Sequence, residues 1–120
     1  MIREIKKEIT ARLRTLTPNV YYDTGDETKG FPYIVFDTTS LIYSEGLFKG
    51  NLDIDIWDRN TSYATVDELS EKVIDLLNDK NFVGETMGAT LLLANVLDVD
   101  DEDITRKRKT VIFEIQIRRK

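Results

Sequence analysis

Leu52, Ile54 and Ile56 alternate with Asp53, Asp55 and Trp57, and the same period returns at Val111, Phe113, Ile115 and Ile117. A two-residue repeat sends successive side chains to opposite faces of a β-strand, so each segment has one dry and one wet face. The dry faces need a cover, and the chain supplies two at helical spacing. Ile2, Ile5, Ile9, Leu13 and Leu16 recur every three or four residues, with Arg3, Glu4, Lys7, Arg12 and Arg14 on the wet side. Val66, Leu69, Val73, Leu76 and Leu77 repeat the pattern, starting from Thr65-Val66-Asp67-Glu68, a capping-box sequence.

The segments between these anchors read as follows. Thr17-Pro18-Asn19 ends the first helix, because proline disfavours helical geometry in the residue before it. Val20-Tyr21-Tyr22 is suited to a short strand. Pro32 opens the β-branched and aromatic run Tyr33-Ile34-Val35-Phe36, which continues to about Tyr43. Ser44-Glu45-Gly46 then turns the chain into the alternating segment, making an antiparallel hairpin. Asn78-Asp79-Lys80-Asn81 ends the second helix, and Gly84-Glu85-Thr86-Met87-Gly88-Ala89 reads as a plain connection. Residues 87–99 form a third main strand and residues 110–117 a fourth.

The expected fold is one α+β domain over residues 1–120, enough chain to bury roughly two-thirds of its unfolded surface. It consists of an antiparallel, possibly mixed, sheet of about four main strands with two helices packed on one face, in the order α-β-β-α-β-β. Two segments are expected outside the regular elements. Residues 23–30 hold no apolar residue and two glycines, and read as an exposed, mobile loop. Residues 98–109 read as an acidic-then-basic loop.

The residues that are missing narrow the chemistry. Without cysteine there is no disulfide framework, thiolate zinc site or cysteine nucleophile. Without histidine the usual general base near neutral pH and the commonest metal ligand are gone. No GxGxxG, Walker A or GxSxG pattern occurs. The longest apolar run is Leu91-Leu92-Leu93-Ala94, far short of the ~20 residues of a membrane span, and the charged, periodic start is unlike a signal peptide.

What remains for catalysis or metal binding is carboxylate. Asp98, Asp100, Asp101, Glu102 and Asp103 could offer hard oxygen ligands to Ca²⁺ or Mg²⁺, but the run lacks the glycine and final glutamate of an EF-hand loop. A solvated acidic loop, paired with the basic run behind it, is the simpler reading. Asp53, Asp55 and Asp58, on or near one strand face, could act as paired acids, although aspartates alternating along a strand usually just face water. No catalytic residue, cofactor or metal is therefore assigned.

Charge is distributed unevenly along the chain. Residues 1–16 and 104–120 hold 12 basic against 3 acidic residues, a sum of +9, while residues 17–103 hold 5 against 19, a sum of −14. Such asymmetry bears on partners and orientation rather than on fold. The basic groups Arg106, Lys107, Arg108, Lys109 and Arg118, Arg119, Lys120 could meet phosphates, but the chain is acidic overall and its aromatics are not interleaved with them. Contact with nucleic acid is expected to be incidental. Trp57, the sole tryptophan, lies out of phase with Ile54 and Ile56, and is a candidate interface anchor or a packing residue at a strand end.

The sequence has a terminal helix, an acidic loop and Phe31-Pro32-Tyr33-Ile34-Val35-Phe36. A strand closing on Asp55-Ile56-Trp57-Asp58, a short turn into an amphipathic helix and a last strand after Asp103-Ile104-Thr105-Arg106 complete it. Over residues 2–118 this arrangement resembles the small tail-completion (tail-terminator, or head–tail joining) proteins of long-tailed bacteriophages and prophages. The resemblance implies a non-enzymatic structural protein of the virion, made in the cytoplasm of the bacterial host. Such a protein assembles as a homo-oligomeric ring, typically a hexamer, that ends the tail tube and joins it to the head connector. That family has no catalytic residues to carry over. The residues expected at contacts are Trp57, residues 106–109, residues 118–120, and Asp26 and Glu27 of the loop. The alternatives are a non-catalytic ligand-binding module, a nucleic-acid-binding accessory protein and, last, a carboxylate-based metal hydrolase.

Overall fold

The computed structural model describes residues 2–120, apart from the side chain of Glu27. Helices α1 (Ile2–Leu13) and α2 (Ala64–Leu77) pack on a six-stranded sheet. Its strands are β1 (Val20–Tyr22), β2 (Tyr33–Ser44), β3 (Leu47–Arg59), β4 (Lys80–Val83), β5 (Met87–Val99) and β6 (Arg106–Arg119). Their spatial order is β1-β2-β3-β6-β5-β4, and the sheet is mixed, because β1 pairs with β2 in parallel while every other pair is antiparallel.

The two period-two segments are neighbours. Leu52 lies opposite Phe113 and Ile54 opposite Val111, so the apolar rows of β3 and β6 merge into one surface, fully buried from Leu52 to Ile56 and from Val111 to Ile117. Ile5, Ile9 and Leu13 of α1, and Val66, Leu69, Val73 and Leu77 of α2, cover that surface. Both helices thus share one face of the sheet, as their stripes require.

Several expectations need correction. The sheet has six strands rather than four, and the order is α-β-β-β-α-β-β-β. β4 leaves no mark in the sequence because it is a four-residue edge strand with a single buried anchor, Phe82, opposite Ala89, too short for any periodicity to show. Residues 84–86 are consequently a hairpin turn between two strands, closed by the amide of Gly84 donating to the carbonyl of Met87 at 2.8 Å.

The acidic-then-basic segment is not one loop. Asp98 and Val99 end β5, and residues 106–109 begin β6, leaving only 100–105 between strands. The long stems of arginine and lysine cover the sheet while their charged heads reach outward, so a run of four basic residues can sit in a central strand. The capping box does not form either. Helix α2 begins at Ala64 with Tyr63 as its cap residue, which places Thr65 inside the first turn, and the hydroxyl of Ser62 accepts from the amide of Ala64 instead.

The molecule is elongated, 46 × 23 × 23 Å. The β2–β3 hairpin closes on Glu45 and Gly46 at φ of 53° and 81°, the paired positive values of the two-residue turn that matches strand twist. The sheet face away from the helices is partly covered by residues 23–30. Gly25 lies so close there that a β-carbon would sit 2.5 Å from Cε2 of Tyr33 and 2.8 Å from Cγ2 of Val35.

Candidate interaction surfaces

Trp57 is half-buried on the outer face, where the out-of-phase position in β3 puts it. Tyr33, directly opposite on β2, stacks on it with centroids 6.1 Å apart and planes inclined by 15°. The guanidinium groups of Arg106 and Arg108, two residues apart on β6, stand 4.8 and 4.9 Å from the Trp57 ring centroid. Arg108 also reaches Asp55 at 3.1 Å, and the Thr110 hydroxyl donates to that same carboxylate oxygen. Arg106 lies 3.8 Å from Asp101. Trp57 is therefore the centre of a cation–aromatic cluster that joins β2, β3 and β6.

Lys107 and Lys109 point to the helix face. Lys109, with its side chain 16% exposed, donates to Asp67 at 2.7 Å and lies 3.2 Å from Asp98, joining α2 to β5. These acceptors hold its ammonium pKa above the usual lysine value, the hydrogen bond to Asp67 contributing most. Lys107 donates to the carbonyl of Ile104 at 2.7 Å and lies over the ring of Tyr63. All four basic residues of 106–109 are thus engaged within the chain.

The acids opposite them are engaged as well. Asp98, Asp101 and Asp103 face Lys109, Arg106 and Arg59. Asp103 also accepts from the hydroxyl and amide of Thr105, and the hydroxyl bond is the main reason its pKa is lowered. Among the described residues no group of three or more carboxylates converges as a metal site requires. Asp53, Asp55 and Asp58 do not share a face. Asp58 is buried on the helix side, while Asp53 and Asp55 point outward, and Asp37 lies opposite Asp53. Burial, then the charges of Asp55 and Asp37, raise the pKa of Asp53.

Asp26 sits at the outer-face loop, accepting from the amide and hydroxyl of Thr28, and the hydroxyl bond leads in lowering its pKa. The Glu27 side chain, the other loop candidate, lies outside the described atoms. Arg118, Arg119 and Lys120 are exposed at the far end of the long axis. They lie beside the β2–β3 hairpin, where an open groove of about 430 Å³ is lined by Tyr43, Gly46, Phe48, Arg119 and Lys120. Another open groove, about 340 Å³, runs over β4 to β6, and among the described residues Arg118 is the only titratable side chain lining it. Its other polar side chains are Asn81, Thr90 and Gln116, and the Thr90 hydroxyl is already spent on Asn81 at 2.7 Å.

Two surfaces escaped the sequence reading. Ile42 and Tyr43 at the hairpin tip are 67% and 61% exposed, and Leu93, Val96 and Leu97 in the outer half of β5 are 36–42% exposed. The signal for the second was the run Leu91-Leu92-Leu93-Ala94-Asn95-Val96-Leu97, which is apolar at both phases and so cannot be dry on one face only.

No protein-family model matches the sequence. No curated protein matches it either. Among solved structures, a chain of "Virion of native gene transfer agent (GTA) particle" superposes with a TM-score of 0.71. The match covers 88% of this chain and 84% of that one at 16% identity, a likeness of fold.

Proposed function

We propose that this chain is a structural protein of a phage-type virion. On this reading it forms a homo-oligomeric ring, hexameric when assembled, at the head-proximal end of a tail, ending the tail tube and joining it to the head connector. The observation that carries the proposal is the likeness of fold, over nearly the whole of both chains, to a component of a gene transfer agent virion. That likeness supports the coarser part, a virion protein; the ring at the tail end rests on the resemblance of the sequence, and a chain without imidazole or thiol acts most simply through its surfaces.

The contacts would use exposed charge. Arg118, Arg119 and Lys120 are the candidates best placed, since residues 106–109 are held by Asp55, Asp67, Asp98 and Asp101 or by backbone. The same engagement disfavours a nucleic-acid role, which needs free cations for phosphate. Trp57, Arg106 and Arg108 would present a rigid platform to a neighbour, and Asp26 and the 23–30 loop beside it would settle into new contacts on assembly. Synthesis in the bacterial cytoplasm and assembly into the particle follow from this reading. No helix among the described residues is long and apolar enough to cross a membrane.

The test is genetic. Deleting the coding sequence from the phage or prophage that carries it should leave heads and tails unjoined in lysates viewed by electron microscopy, and expression in trans should restore complete particles. Complete, infectious particles without the protein would refute the proposal.

A further inference from the structure

We infer that the β2–β3 hairpin tip and the outer half of β5 are the two halves of one contact, and that a second copy of this chain fills it. The inference rests on the ring reading and names the surfaces through which the ring would close.

Four observations lead to it. First, the two surfaces lie on opposite edges of the sheet, each only partly covered by its edge strand. β1 pairs with β2 only at Ile34–Phe36, and β4 pairs with β5 only at Gly88–Leu91, so the lengths beyond lack a strand neighbour. Second, of the eight exposed large apolar side chains among the described residues, five lie on these two stretches: Ile42 and Tyr43 on one, Leu93, Val96 and Leu97 on the other. Scattered exposed apolar residues need no explanation, but two clusters do.

Third, the rims carry opposite charge. Lys49, Arg118, Arg119 and Lys120 surround the tip, against Glu45 and the half-buried Glu114. Beyond the end of β5 stand Asp100 and Glu102, both exposed, while Asp98 within the strand is already paired with Lys109. Fourth, neither patch suits itself. A two-fold contact would set basic tip against basic tip, or acidic end against acidic end, whereas tip against strand end pairs both charge and apolar surface. A contact between different patches on opposite edges is head-to-tail, and closes into a ring when the rotation fits.

The contact is made by side chains rather than by a continuous backbone ladder. Both edges are irregular, with register shifts between Thr39 and Ile42 and between Leu93 and Asn95. The amides of Leu93 and Val96 already donate to the side chains of Asn78 and Asn95. Such features blunt an edge against open-ended strand pairing. Because the tip and the end of β5 lie at opposite ends of the long strands, successive copies are staggered along the strand direction.

The chain has no cysteine, so single introduced thiols are unambiguous. Ile42→Cys and Leu97→Cys proteins, mixed in equal amounts where the wild type oligomerises and treated with a short bismaleimide, should give mainly the mixed cross-link. Asp100→Lys/Glu102→Lys and Arg118→Glu/Arg119→Glu proteins should each associate at least tenfold more weakly, with unchanged circular dichroism and melting. Mixing those two variants should restore association, since alternate copies then match at both contacts. Oligomers that form with only like-to-like cross-links, or that ignore the charge reversals, overturn this contact and leave the ring reading standing. A protein that stays monomeric under every condition overturns both.

Discussion

Tyr33 and Trp57 face each other across β2 and β3, rings stacked 6.1 Å apart, while Arg106 and Arg108 approach the same indole from β6. The cluster builds a second, smaller packing layer on the face the helices leave open. An aromatic pair adds about 0.5–1.5 kcal/mol beyond its buried area, and an exposed cation–π contact about 0.5–1 kcal/mol. Trp57→Ala should therefore cost about 2 kcal/mol in denaturant titrations followed by circular dichroism, and Trp57→Phe less than half of that. Equal stability for Trp57→Ala would mean that the stack is ornamental to the fold.

Lys109 ties the first turn of α2 to β5 through Asp67 and Asp98. Its pKa is raised in the folded chain, so its contribution is fully present below about 10.5, the ordinary lysine value. That contribution is lost as pH rises through the higher folded value. Lys109→Met should lower stability at pH 7 by about 0.5–1 kcal/mol, because both carboxylates are more than half exposed and remain solvated when the lysine goes. Thermal melts of the wild type should fall more steeply above pH 10 than those of the variant.

Asp53 has the opposite sign. Its raised carboxyl pKa means that ionisation disfavours the native state above the ordinary value near 3.8, and that acidification through the raised value relieves the cost. Asp53→Asn should stabilise the protein at pH 7 by no more than about 0.5 kcal/mol, since the group is substantially solvated. The gain should vanish near pH 3.5. A loss of stability at pH 7 would show that the Asp53 carboxylate has a favourable partner.

Phe113 is fully buried on β6, opposite Leu52 of β3 and Leu93 of β5. Phe113→Ala should cost about 3–5 kcal/mol by urea unfolding, the range for a large aromatic removed from a core that cannot collapse onto the gap. A cost under about 1 kcal/mol would imply a loosely packed sheet–helix interface, at odds with its complete burial.

Much of the fold was legible because its signals are periodic. The alternation at 52–57 and 111–117 marked the two strands of the centre, and the stripes at Ile5, Ile9, Leu13 and Val66, Leu69, Val73 marked the helices that cover them. What periodicity could not show was adjacency. That β6 inserts between β3 and β5 is a tertiary choice, and β4, with Phe82 as its only buried residue, has no period to read. The basic run at 106–109 reads as a loop only if charge means exposure, and in this strand it does not. Alternation continues through it, with arginines to the outer face and lysines to the helix face, and each head finds a partner distant in sequence. Trp57 was rightly placed out of phase with Ile54 and Ile56, yet nothing local disclosed that Tyr33, Arg106 and Arg108 would gather around it.

On the proposed function, this chain works by joining copies of itself head to tail. Native mass spectrometry of the concentrated protein, at low and at high ionic strength, tests it most directly. The account predicts a closed oligomer of one discrete size, strongest at low salt, that gives way to monomer as charge is screened or as Arg118, Arg119 and Lys120 are reversed. A strict monomer at every concentration and salt, with and without tail-tube and connector proteins, would contradict it.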